Sequence, residues 1–149
     1  MKQTKINAVN MQAGNISRDG FLGADRRPLT EIIRADEEVL KKLNLTHQAI
    51  AKRMGYFREA GNKGLGEFLK LAPHFEVLCE IPRGFIPCPF GEPGMHRKTI
   101  VTVRNLRLRK EVTFFDLNIH LIAAHGFYEG KGSPFRLEPA ELAQVLEIN

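Results

Sequence analysis

Apolar residues recur at helical spacing twice in the first half of the chain. In "PLTEIIRADEEVLKKLNLT", Leu29, Ile32, Ile33, Val39, Leu40 and Leu43 fall on one face and predict a helix that Pro28 can open. Lys41 and Lys42 sit at its negative end, and Glu37–Lys41 and Glu38–Lys42 add exposed pairs one turn apart. Thr46 is a good N-cap for a second helix through "HQAIAKRMGYFREAG", with Leu45 placed to pack on Ile50. "LGEFLKLAP" predicts a short third helix, stopped by Pro73.

The pattern changes after Pro73. "HFEVLCEI", "GFIPCPF", "TIVTVRN" and "EVTFF" are short runs rich in β-branched and aromatic residues, which predict strands. "KTIVTVRNLRLRKEVTFFD" has the form of a long hairpin. Asp116 then caps a helix carrying His120 and His125, and "LEPAELAQVLEI" closes the chain as another, with Pro139 in its first turn and Leu137 stapled onto Leu142. The fold class predicted is α+β: a helical N-terminal half, a small antiparallel sheet with a long hairpin, and two C-terminal helices. Residues 1–27 are polar and glycine-punctuated and are read as an extended arm, with a short strand or turn around "NISRDGFLG". Residues 28–149 are read as a single domain, helical over 28–73 and strands plus two helices over 74–149; a chain of 149 residues suits one domain.

A 43% hydrophobic content is ordinary for a globular protein. No run approaches the ~20 apolar residues that span a bilayer, so no membrane partner is expected. The opening segment lacks the apolar core of a secretory leader. Two cysteines do not make a disulfide scaffold, and a reduced cytoplasm is the expected compartment. The glycosylation triplets at Asn15 and Asn44 are accordingly read as chance matches.

Lys and Arg total 22 against 17 Asp and Glu. Six of those cations, Arg97, Lys98, Arg104, Arg107, Arg109 and Lys110, fall in one stretch without an acidic residue. They form a candidate surface for phosphates, weighed against the ordinary solvated face of a hairpin. Lys131, in "GFYEGKGS", is a further candidate anion contact through a glycine-rich loop. That loop is not a nucleotide-binding P-loop: Gly126 lies one residue too close to Gly130-Lys131, and Gly132 stands where serine or threonine belongs.

Two histidines on a helix that follows a hairpin, with cysteines upstream, loosely resemble the two-cysteine, two-histidine zinc finger over residues 79–125. The resemblance implies zinc as the cofactor. The candidate ligands are Cys88, His96, His120 and His125, with Cys79 as the other available thiol. The finger's close cysteine pair is missing, since Gly91 occupies the position three after Cys88. Each histidine also has a structural reading: His120 at a staple position, and His125 in the last turn before the exit glycine Gly126. The sequence alone leads to the expectation that Cys88 and His96 do not come within reach of the two helical histidines.

"LTHQAIAKRMGYFRE" resembles the first helix and turn of a helix-turn-helix, with Gly55 at the turn, but glycines occupy what should be the recognition helix. Catalysis has no pattern to stand on: Cys88 lies between two prolines with no activating partner nearby in sequence, and no carboxylates are paired. "RGFIPCPF" and "DLNIHLIAAHGFYEGKGSPFRLEP" resemble a family of small bacterial cytosolic proteins to which no activity is assigned. The resemblance implies a bacterial source and a cytosolic setting, and no mechanism. The function expected is a non-enzymatic binding or regulatory module with a protein partner or a second copy of itself. The alternatives are a nucleic-acid binder using the basic hairpin and the partial helix-turn-helix, and a zinc protein with a degenerate finger-like site.

Overall fold

The computed structural model describes residues 21–148. Its elements in chain order are α1 (Leu29–Leu43), α2 (His47–Gly61), a 3-10 turn (Asn62–Gly64), β1 (Leu69–Leu71), β2 (Phe75–Glu80), β3 (Phe85–Pro87), β4 (Met95–Arg97), β5 (Ile100–Asn105), β6 (Lys110–Phe115), α3 (Asp116–His125) and α4 (Pro139–Leu146). This is the α+β arrangement expected: helices first, strands in the middle, two helices last. The arm assigned to residues 1–27 lies mostly outside the described residues. Its last part is packed, with Phe21 1% exposed and Gly130 N–H donating to the Phe21 carbonyl.

The strands form two separate sheets. β1, β2, β5 and β6 make an antiparallel sheet in that order, and β3 with β4 makes a two-stranded ribbon. β5 and β6 are the long hairpin, in register from Ile100 opposite Phe115 to Asn105 opposite Lys110. Alternate residues of the larger sheet (Phe75, Val77, Cys79; Val101, Val103; Phe114) point into one core with Ile50, Met54 and Phe57 of α2 and Leu142, Val145 and Leu146 of α4. Gly61 lets α2 close on the sheet, because a Cβ there would lie 2.5 Å from Cys79 Sγ. A second core gathers Phe21, Leu29, Ile32, Ile86, Cys88, Phe115, Leu117, Leu121 and Phe127 between α1, α3 and the ribbon.

Three local expectations are corrected. Residues 65–73 do not form a helix: Leu65 (φ 53°) and Gly66 (φ 86°) are left-handed, which breaks helical continuation, and Leu69–Leu71 instead pairs with Phe75–Val77 as an edge strand. Asp116 does not cap α3. Phe115 holds the cap position, and Asn118 Oδ1 accepts from its N–H at 2.9 Å, which frees Asp116 to pair with Arg58 at 2.5 Å. Helix α2 runs unbroken through Gly55, so the turn that a helix-turn-helix needs is not formed. The Thr46 cap and the left-handed exit at Gly126 (φ 62°) are present as expected.

Candidate metal centre

The loop after β3 turns tightly at Cys88-Pro-Phe-Gly, where Gly91 (φ 82°) donates its N–H to the Cys88 carbonyl at 3.0 Å. This turn places Glu92 over the α3 surface that carries His120 and His125. One donor atom from each of Cys88, Glu92, His120 and His125 lies within 4.8 Å of the other three. Cys88 Sγ is 3.8 Å from His125 Nε2 and 3.7 Å from Glu92 Oε1; His120 Nε2 is 3.1 Å from the same oxygen. His125 Nε2 also bonds Glu92 Oε1. A tetrahedral zinc with bonds of ~2.3 Å to sulfur and ~2.0 Å to nitrogen or oxygen has ligand–ligand edges of about 3.3–3.6 Å. The separations from Cys88 to His125 and Glu92 and from His120 to Glu92 are close to those edges, and the Glu92–His125 contact must open.

The surroundings orient the donors. Phe90 stacks on the His125 ring at 3.9 Å, nearly parallel, and is itself edge-on to Phe127. Burial pushes the Cys88 thiol above its ordinary pKa and the Glu92 carboxylate adds to this, while the backbone N–H groups of Phe90 and Glu92 donate to the sulfur and pull the other way. Amides aimed at a cysteine sulfur favour the thiolate, the form that binds metal. Glu92 is held below the usual carboxylate range, first by its bond to His125 and then by His120. The site is half open: Cys88 is buried, the histidines are partly buried and Glu92 is exposed.

Of the four ligands named from sequence, Cys88, His120 and His125 are brought together, contrary to the expectation that Cys88 would stay out of reach. His96 lies beside the group and outside it. It sits on β4 opposite Ile86, with its ring 4.5 Å from that of His120, and burial pushes its pKa down. Cys79 is elsewhere, buried in the main core and donating to the Arg58 carbonyl, its thiol pushed up to about 11 by burial. Glu92 was missed. A glutamate in "GEPG" has the composition of any solvated turn, and the available signal was its place four residues after a cysteine in a Cys-Pro-x-Gly turn.

The candidate anion contacts divide sharply. Arg104 lies near Glu76 and Glu111 and covers the Phe68 ring, Arg107 pairs with Glu147, and Lys110 donates to Gln144. Lys131 stands in a loop whose backbone already holds an anion from its own chain. Lys131 N–H donates to Asp25 Oδ2, and Asp25 is kept well below the carboxylate range by Arg27 first and that amide after. Among the described residues Arg97, Lys98 and Arg109 have no side-chain partner. Among the described residues no helix is long and apolar enough to cross a membrane.

Comparison of the chain with known protein families, curated proteins and solved structures found no match.

Proposed function

We propose that the chain is a zinc-binding protein of the bacterial cytosol, with one ion held by Cys88, Glu92, His120 and His125, and that the ion serves a non-enzymatic binding module. The observation that carries the reading is the convergence of these four donors within 4.8 Å of one another. One thiolate, two imidazoles and a carboxylate make a set that zinc accepts and that the harder magnesium and calcium do not favour. Four protein ligands fill a tetrahedral shell, which is the mark of a structural ion. The ion joins the loop between β3 and β4 to α3, and so fixes a ribbon whose strands are three residues each. Two such strands are too short to be stable alone. Binding displaces the Cys88 proton, so affinity falls as the solution is acidified.

Protein purified without added metal is expected to carry one zinc per chain by mass spectrometry. Cys88→Ala and His120→Ala are expected to lose it, while Cys79→Ala and His96→Ala retain it. A wild type that neither carries zinc nor takes it up at micromolar concentration overturns the reading. Loss in His96→Ala with retention in Glu92→Gln would replace the proposed carboxylate with the third imidazole.

A further inference from the structure

The outward face of the β3–β4 ribbon combines exposed apolar side chains with cations that the fold does not pair. Residues alternate along each strand, so Ile86 and His96 turn toward α3 and Phe85, Met95 and Arg97 turn out. Phe85 is 56% and Met95 58% exposed, and Ile81, just before the ribbon, is 57% exposed. Phe85 stands directly opposite Arg97. Gly84 (φ 103°) turns the chain into β3 so that Lys98 lies across it, with Cε and Nζ 3.8 Å from where a Cβ would be. Arg83 precedes that glycine and is exposed.

The segment Ile81–Lys98 therefore carries Arg83, Arg97 and Lys98 against a single acidic residue, Glu92, which faces the two histidines. None of the three cations has a side-chain partner among the described residues. The cations of the β5–β6 hairpin are, by contrast, mostly engaged by the fold itself. An exposed aromatic ring flanked by uncommitted cations is complementary to a ligand that is both anionic and flat-faced. A ribbon of three residues per strand is ~10 Å long, enough for two or three nucleotides.

We propose that this face binds single-stranded nucleic acid, with a base stacked on Phe85 and phosphates on Arg83, Arg97 and Lys98. Unpaired bases are required because a duplex hides the faces that a ring stacks on. The surface rests on the metal reading in one respect, that the ion holds the ribbon in place. Three phosphate contacts predict a slope of about −2 for log affinity against log salt on a single strand.

The test is fluorescence anisotropy of a labelled dT10 against the full chain at low salt, with zinc content measured on the same samples. Phe85→Ala is expected to weaken binding roughly tenfold or more, Phe85→Tyr to retain it, and Arg97→Ala to weaken it and lower the salt slope by about 0.7, all at unchanged zinc content. His120→Ala loses zinc and binding together. Zinc-loaded protein that ignores dT10 overturns this proposal and leaves the metal site standing. Wild type that takes up no zinc at micromolar concentration and still binds dT10 through Phe85 overturns the metal site alone. Equal affinity for polyglutamate, or tighter binding of duplex, also overturns the proposal, since neither offers a stackable face.

Discussion

The four-stranded sheet and the β3–β4 ribbon draw on similar residues and differ in what secures them. The sheet has three strands of six residues, two covering helices and a core in which Phe57, Val77, Val101, Val103 and Phe114 are all fully buried. Apolar burial at ~25 cal/mol per Å² is enough to hold such a structure. The ribbon has two three-residue strands and turns Phe85 and Met95 to solvent. What ties it down is Ile86 in the second core and the polar group of Cys88, Glu92, His120 and His125. The lesson is that where a β element is too small to be held by its own burial, donor side chains gather at its turn.

The most forceful way to break the contrast is in the larger core. Phe114→Ala should cost about 3–5 kcal/mol in urea unfolding, because it opens a cavity beneath both helices. The ribbon's site should still bind zinc in whatever fraction stays folded. A cost under 1 kcal/mol would mean that the sheet is not secured by burial.

A smaller effect belongs to the loop that follows α3. Glu129 is 2% exposed, accepts from Ser133 Oγ at 2.6 Å and from Asn118 Nδ2 at 2.8 Å, and burial pushes its pKa up to about 7. The folded pKa lies above the ordinary 4.5. Between pH 4.5 and 7 the folded chain therefore keeps a proton that the unfolded chain has released. Stability should fall as pH rises through that window and level off above it, by on the order of 1–3 kcal/mol. Glu129→Gln, which imitates the protonated form, should flatten this part of the profile. An unchanged slope in the variant would contradict the assignment. The smallest effect is expected at the sheet's rim: Arg107→Ala breaks an exposed pair with Glu147 and should change stability by less than ~0.5 kcal/mol.

The features legible in the sequence were those set by local rules. Thr46, Pro139 and Gly126 mark helix ends through caps and left-handed exits, and the alternation in "TIVTVRN" and "EVTFF" marks the central hairpin. What was not legible depends on long-range pairing. "EFLKLAP" has helical spacing, and only the free edge of β2 decides that Leu69–Leu71 is a strand. The site was legible in part for the same reason. His120, His125 and Cys88 announce themselves by residue type, whereas the choice between Glu92 and His96 turns on strand register. His96 faces Ile86 across the ribbon, beside the His120 ring, and the turn at Gly91 delivers the carboxylate instead. Charge told least of all: Arg97 and Arg104 look alike in sequence, and only the fold shows that one is committed to Phe68 and nearby glutamates and the other is not.

The claim that an ion secures the ribbon is tested most directly by amide hydrogen exchange on zinc-loaded protein before and after chelation. Saturation at a hundred times the dissociation constant is worth ~2.7 kcal/mol to any opening that releases the ion. After chelation the amides bonded across the β3–β4 ribbon should exchange near the rate of unprotected chain, while those of Val101, Val103 and Phe114 stay strongly protected. Ribbon protection that is indifferent to chelation, or sheet and ribbon losing all protection together, would contradict it.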